Sequence, residues 1–179
     1  MMKNLFQILC GLFLVVSYSS CMHSEEDKVD VLIIGGGASG VTSGIQSARM
    51  GANTLILEES TWLGGMLTSA GVSAVDGNYR LPAGLWGEFK NRLSDYYGGL
   101  DSLKTGWVSN VLFEPSVGNK ILHEMVAAEN NLKVWKQACL EEVKRTGDEW
   151  VAKVKVEGQG VKTVRAKVMI DATELGDVA

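Results

Sequence analysis

The sequence of 179 residues is short of several features that would assign a function class at once. It has only three cysteines and two histidines, and no cluster of Cys, His and acidic residues has zinc-ligand spacing, so we predict no metal site. Its net charge of −4, without a basic tract, disfavours nucleic acid as a partner. Its N-terminal apolar run, Leu5 to Val16, is too short for a transmembrane helix, which needs about 20 apolar residues.

The N-terminal segment instead has the pattern of an export signal. A basic residue precedes the apolar run and small polar residues follow it. A small residue before Cys21 resembles the processing site of bacterial lipoproteins, whereas Tyr18 departs from the usual aliphatic residue, so ordinary signal-peptide cleavage stays open. We predict a signal peptide at residues 1–21 and a charged tether at 22–28. The protein would then be periplasmic, or attached to a membrane through lipidated Cys21.

Cysteine and histidine do not indicate covalent catalysis. Once the chain is processed at Cys21, Cys139 is the thiol that remains, so no disulfide is expected within the mature chain. No motif links His23 or His123 to Cys139, and we predict that Cys139 is a small core residue. We expect His123 to be packed or solvated and not a base. No catalytic residue is therefore assigned.

What the sequence does have is a run, Val29 to Glu58, with the pattern of a nucleotide-binding βαβ unit. Its first residues, 29–34, are nearly all apolar and predict a strand buried on both faces. Helical apolar spacing predicts a helix from about Ala38 to Met50, with Gly51 in the place of a C-cap. A second strand is expected at Thr54–Leu57.

Three glycines follow the first strand in G-x-G-x-x-G spacing. We expect Gly35 to allow the tight turn, Gly37 to let the backbone approach a pyrophosphate, and Gly40 to let the helix pack close to the strand. Ala38 and Ser39 complete the turn at the helix N-terminus. Unpaired N–H groups and the helix dipole both favour an anion there.

Glu58 ends the second strand, eighteen residues after Gly40. An acid that binds the adenosine ribose hydroxyls is expected at about this distance. A carboxylate would repel a 2′-phosphate, which argues against NADP. The pattern predicts a dinucleotide site, and its plain alternative is a glycine-rich loop without a nucleotide.

The middle of the chain, residues 72–132, is predicted to be a helical insertion. One helix is expected from about Ala83 to Tyr97, ended by Gly98-Gly99, with an aromatic stripe that we assign to the core. A second helix is expected from Glu114 to about Glu129.

From Leu132 the pattern becomes that of β-structure. A third parallel strand is predicted at Leu132–Trp135, followed by a three-stranded antiparallel β-meander. The meander strands are expected at Cys139–Arg145, Glu149–Glu157 and Gly160–Arg165. A separate buried strand, Lys167–Asp171, then runs into a turn.

Two further segments make the chain resemble the FAD-dependent oxidoreductases of the glutathione-reductase type. The loop beginning Gly64-Gly65-Met66 resembles the family's Gly-Gly-Met-x-Thr loop after the ribose-binding acid. Asp171-Ala172-Thr173 resembles the family's Asp-Ala-Thr-Gly turn. The resemblance implies that Gly64, Gly65 and Met66 lie along the flavin or its pyrophosphate. A surface turn is the plain alternative for that loop.

The resemblance also implies roles for three later residues. Leu140 takes the position that contacts adenine, Ala172 lies in the turn that approaches the nucleotide, and Asp177 contacts the ribityl chain. Glu174 stands where the family has glycine. A glutamate tolerates fewer backbone conformations than glycine, so the turn is expected to differ.

Together these observations predict an α/β protein whose residues 29–179 form a Rossmann-like FAD-binding parallel sheet with a helical insertion and a β-meander. Since family members continue with a substrate domain, we expect a C-terminally incomplete, N-terminal part of a longer enzyme. That enzyme would pass a hydride from an unidentified small molecule to the flavin. The alternatives are a non-catalytic remnant or lipid-anchored binding module, and an NAD-dependent dehydrogenase. The two family-like segments favour FAD over NAD.

Overall fold

The computed structural model describes residues 26–104 and 109–178. The predicted signal peptide at 1–21, with Cys21 and His23, lies outside the described residues. The regular elements of the described part are, in chain order, β1 (Glu26–Ile34), α1 (Ala38–Arg49), β2 (Thr54–Glu58), α2 (Gly84–Tyr97), α3 (Pro115–Ala127), β3 (Leu132–Lys136), β4 (Ala138–Thr146), β5 (Glu149–Val156) and β6 (Gly160–Asp171). Short 3₁₀ turns lie at Gly65–Leu67 and Leu100–Leu103.

The six strands form one sheet with the order β3-β2-β1-β6-β5-β4. The first four in that order are parallel to one another, and β4, β5 and β6 are antiparallel neighbours. The α1 crossover connects β1 to β2, as a parallel pair requires. The predicted α/β fold with a parallel sheet, a helical insertion and an antiparallel extension is confirmed.

One strand belongs to both halves of the sheet, and here the sequence-based prediction was wrong. The last meander strand (Gly160–Arg165) and the separate strand (Lys167–Asp171) are a single strand, β6, of 12 residues. Its residues up to Ala166 pair with β5, while Thr163 to Asp171 pair with β1. No turn residue interrupts the strand, so it continues from one neighbour to the next.

The first strand also begins earlier than predicted. Glu26–Lys28, assigned to the tether, pair in parallel with Thr163–Arg165 of β6. The side chain of Glu26 accepts a hydrogen bond from Arg165 Nε at 2.5 Å. The sequence pattern detected only the apolar part of this strand, because Glu26 and Lys28 are exposed and charged.

The sheet has a core on each face. Ile33 of β1 and Ile56 of β2 are fully buried against the helices. Leu32 and Leu55, one residue earlier in each strand, are buried on the opposite face with Val154 of β5. The antiparallel half covers this second face, and β4 comes into contact with β2. Both faces of β1 are therefore buried along its apolar run.

The helices of the insertion pack over the first face. Phe89 of α2 is 4% exposed and meets Phe113 edge-on at 5.5 Å between ring centroids, which places this part of the aromatic stripe in the core. Arg49 at the end of α1 forms ion pairs with Glu88 of α2 at 2.9 Å and Glu129 at 2.7 Å. These pairs fix α1 against the insertion. No helix in the described ranges has the length and hydropathy needed to span a membrane.

Candidate functional site

A cleft of about 290 Å³ opens at the carboxyl ends of β1, β2 and β6. In this sheet the chain leaves β1 toward β2 on one side, and β6 lies on the other side. Ligands of open parallel sheets bind at such a switch point. The lining residues are Ile34, Gly35, Gly36, Gly37, Leu57, Glu58, Glu59, Ser60, Gly65, Ser69, Ala138, Leu140, Ala172, Thr173, Glu174, Leu175 and Asp177.

The turn between β1 and α1 passes close to the end of β6. Gly35 has a φ of +101°, and a Cβ added to it would lie 2.6 Å from the carbonyl oxygen of Ala172. Its N–H donates to the carbonyl of Leu57 at 2.9 Å. Only glycine fits this backbone conformation and this space.

Gly40 has no room for a side chain, whereas Gly37 borders open space. A Cβ on Gly40 would lie 1.8 Å from the carbonyl oxygen of Gly35, so α1 touches the preceding turn there. A Cβ on Gly37 would meet nothing within 4 Å. Gly37 is the N-cap of α1, and no side chain caps the helix. The helix N-terminus thus keeps N–H groups available beside an open space, which fits the needs of a phosphate.

The Glu58 carboxylate joins the two strand ends. Its Oε2 accepts a hydrogen bond from the N–H of Gly36 at 2.8 Å, and its Oε1 accepts one from the N–H of Ser60 at 2.7 Å. A carboxylate oxygen has two lone pairs, so each can also accept a bond from a ribose hydroxyl.

Sequence reasoning missed Gly36. A Cβ on this residue would lie 2.7 Å from Oε2 and 2.8 Å from Cβ of Glu58, so no larger residue fits. The spacing G-x-G-x-x-G treats this position as variable. The signal that could have found it is the run of three consecutive glycines, Gly35 to Gly37.

The second glycine loop is attached to the first. Gly64 is buried, its N–H donates to the carbonyl of Gly36 at 2.8 Å, and it forms a parallel bridge with Gly37. The N–H of the preceding Leu63 donates to Asn119 of α3 at 2.9 Å. Hydrogen bonds thus hold the start of this loop from two sides, while Met66 within it is exposed.

The turn after β6 is held by Asp171. Its Oδ1 accepts hydrogen bonds from N–H and Oγ1 of Thr173 at 3.0 and 2.7 Å. The hydroxyl of Thr173 in turn accepts a bond from the N–H of Asp177 at 2.9 Å. The left-handed conformation lies at Gly176, with φ +71°, and not at Glu174. The glutamate therefore causes no left-handed backbone strain at this position.

The structure brings seven of the predicted site residues to the lining of the cleft: Gly35, Gly37, Glu58, Gly65, Leu140, Ala172 and Asp177. Ala38, Ser39 and Gly40 form the first turn of α1 directly after Gly37. Gly64 lies behind the lining, and Met66 has 58% of its surface exposed and does not line the cleft. The first glycine turn and the Glu58 carboxylate therefore lie together at one cleft, where they suit a phosphate group and the sugar next to it.

Cys139 contradicts the prediction of a core residue. The side chains of β4 alternate, so Ala138 is buried and Cys139 is exposed. Partial desolvation and the neighbouring Glu59 carboxylate raise the pKa of the Cys139 thiol. The exposed position and the weakly acidic thiol do not indicate a nucleophile.

His123 also lies away from the cleft lining. It is half-buried on α3, and burial, helped by the charge of Lys136, lowers its pKa. Within the described ranges no three or more His, Cys, Asp and Glu side chains are grouped to hold a metal ion. We assign neither a base nor a metal ligand here.

Comparison with known proteins gives a family. A sequence model described as FAD dependent oxidoreductase matches residues 30–179. No curated protein matches the sequence significantly.

Solved structures share the fold. A flavoprotein/dehydrogenase from Cytophaga hutchinsonii has a TM-score of 0.61 and 18% identity, over 84% of this chain and 40% of its own. An anhydrotetracycline hydroxylase from Streptomyces rimosus has a TM-score of 0.57 and 12% identity, over 80% and 31%. A p-nitrophenol 4-monooxygenase from Pseudomonas putida DLL-E4 has a TM-score of 0.53 and 15% identity, over 81% and 41%. The chain thus spans about two fifths or less of each.

Proposed function

Because the chain belongs to the FAD dependent oxidoreductase family, we propose that the cleft at the end of β1 holds FAD through its adenosine diphosphate half. Membership confirms the resemblance drawn from the two family-like segments, and with it FAD as the cofactor. The observation that carries the placement is the hydrogen bond between Gly36 and Glu58. This bond holds the glycine turn, which would bind the phosphates, next to the carboxylate that would bind the ribose.

The residues of the first glycine turn would hold the diphosphate. The N–H groups of Gly35 and Gly36 donate to Leu57 and Glu58. The N–H groups at the start of α1, from Gly37 to Gly40, would therefore bind the phosphates. The helix dipole adds to their effect. Glu58 would accept hydrogen bonds from the ribose hydroxyls. Leu140, together with the small Ala138, offers an apolar surface to adenine.

The remaining proposed contacts come from the second glycine loop and from the turn after β6. Gly64 and Gly65, with Met66 beyond them, would follow the flavin or its pyrophosphate. Ala172 would pass close to the nucleotide, and Asp177, exposed at the rim, would accept a hydrogen bond from the ribityl chain. These places are inferred from the family resemblance. Gly65, Ala172 and Asp177 line the cleft, whereas Gly64 and Met66 do not.

The proposed reaction is the transfer of a hydride from a small-molecule substrate. Bound FAD supplies the acceptor for the two electrons, while the protein supplies binding, orientation and electrostatics. The described residues bind and orient the cofactor. No side chain among them is assigned to proton transfer, and the substrate is left unnamed.

We also propose that the protein is exported and attached to a membrane as a lipoprotein. The support is the N-terminal apolar run followed by small residues and Cys21. Expression of the chain and of Cys21→Ser in a bacterium, followed by membrane fractionation, tests this. Only the wild-type chain is expected in the membrane fraction, and equal distribution of both would contradict the proposal.

The cofactor site is tested by titration of the purified chain with FAD, followed by flavin fluorescence. ADP is expected to displace FAD, because the cleft would hold that half of the cofactor, whereas riboflavin is expected to have no effect. NADP is expected to compete less well than NAD, because Glu58 would face its 2′-phosphate. Absence of FAD binding, or displacement by riboflavin and not by ADP, would contradict the proposed site.

A further inference from the structure

Glu174 places a carboxylate where the two glycine loops meet. A Cβ built on Gly65 would lie 3.2 Å from Oε1 of Glu174 and 3.2 Å from the Cα of Gly37. Gly37 begins α1 and borders open space. The carboxylate therefore lies beside the part of the backbone that the proposed function assigns to the diphosphate.

No cationic side chain among the described lining residues of the cleft compensates this charge. The charged residues of its described lining are Glu58, Glu59, Glu174 and Asp177, and neither lysine nor arginine is among them. Glu58 accepts two backbone hydrogen bonds. Glu174, in contrast, forms no hydrogen bond or ion pair with the described residues.

An uncompensated carboxylate and a diphosphate repel each other when they share a small space. Glu174 is exposed, so solvent screens part of this repulsion, but at separations of a few ångströms a charge pair near a protein surface still interacts more strongly than in bulk water. The N-terminus of α1 attracts both anions, so they compete for the same positive potential.

From this arrangement we propose that Glu174 limits the affinity of the chain for FAD: its carboxylate opposes the diphosphate at the junction of Gly37 and Gly65. This inference rests on the proposed function. Glu174 is then a residue that weakens cofactor binding, and its charge, not its size, is responsible.

The test compares the dissociation constants for FAD of the wild-type chain and Glu174→Gln at low salt. Glutamine has nearly the same shape, so only the charge changes, and we expect the variant to bind FAD about tenfold more tightly, a modest value for one nearby charge pair near a protein surface. Higher ionic strength screens the repulsion and should narrow the difference. The control is Glu141→Gln, which removes a charge from an exposed residue of β4 outside the cleft lining and should leave the constant unchanged.

The outcomes separate this inference from the function on which it rests. Equal affinities of wild type and Glu174→Gln would overturn the inference alone. Weaker binding by the variant would also overturn it, and would instead assign to Glu174 an acceptor role toward a hydroxyl of FAD. If none of the three proteins binds FAD, the proposed function fails and the inference fails with it.

Discussion

Gly37 should serve cofactor binding and Gly40 should serve the fold, and substitution of each by alanine tests this. Gly37→Ala adds a Cβ that meets nothing within 4 Å, at a φ of −64° that alanine adopts readily. Gly40→Ala adds a Cβ only 1.8 Å from the carbonyl oxygen of Gly35. We therefore expect opposite consequences from the same chemical change three residues apart.

The cost of Gly40→Ala follows from what must move. Gly35 is fixed by its hydrogen bond to Leu57 at 2.9 Å, and its carbonyl cannot rotate away as a flexible side chain would. Overpacking costs typically about 1–3 kcal/mol, and contact with rigid backbone belongs at the upper end of that range. Alanine returns up to about 1 kcal/mol through its helix propensity. A net loss of about 2 kcal/mol lowers the melting temperature by roughly 4–8 °C in a protein of this size.

Gly37→Ala should instead spare the fold and impair binding. Alanine is a poorer N-cap than glycine, which costs about 1 kcal/mol or less. The added methyl group occupies the open space in front of the helix N-terminus, where we propose that the diphosphate lies. We expect FAD to bind at least tenfold more weakly.

Thermal unfolding followed by circular dichroism, together with FAD titration, measures both effects. Gly77→Ala is the matched control, because its Cβ would also meet nothing within 4 Å and Gly77 does not line the cleft. It should change neither quantity. Wild-type FAD affinity in Gly37→Ala would contradict the proposed binding role of Gly37, and a wild-type melting temperature in Gly40→Ala would contradict the close packing of α1 against Gly35.

Two further predictions concern charged groups. The hydrogen bond from Arg49 holds the pKa of Glu88 below its ordinary value of 4.5, so this ion pair stabilises the fold above that pH and the contribution is lost as the pH falls through the lowered pKa. Urea unfolding of the wild type and Glu88→Gln should accordingly differ at pH 7 and converge in acid, whereas a constant difference would contradict this. Glu59 helps to raise the pKa of the Cys139 thiol, so Glu59→Gln should increase the rate at which iodoacetamide alkylates Cys139 at neutral pH, as measured by peptide mass spectrometry. An unchanged rate would show that Glu59 has no influence on the thiol.

Local patterns predicted those parts of the fold that local physics determines. The apolar run of β1, the glycine spacing and the helical stripe of α1 each depend on neighbours within a few residues, and all three lie where they were expected. The helices of the insertion begin and end within two residues of their predicted bounds. Gly98 ends α2 in a left-handed conformation, and Pro115 is the first residue of α3.

Features that depend on residues far away in the sequence could not be predicted from local sequence patterns. Gly36 needs to be glycine because of Glu58, which is 22 residues away. Cys139 is exposed because Ala138 takes the inward position in β4, and two small residues in sequence do not reveal which one faces the core. Glu26 belongs to β1 because β6 continues far enough to pair with it.

The resemblance to the family places Glu174 where the Asp-Ala-Thr-Gly turn has a glycine, and the local backbone shows how a glutamate fits there. In this chain Asp171 holds the turn through its bonds to Thr173, and Gly176 takes the left-handed conformation. The backbone therefore tolerates a side chain at residue 174. Because the two glycine loops lie close together in front of it, that side chain brings a negative charge to the junction of Gly37 and Gly65. A side chain that leaves the fold intact can thus still change the electrostatics of the cofactor site. Its charge should therefore alter the affinity for FAD and not the stability of the protein.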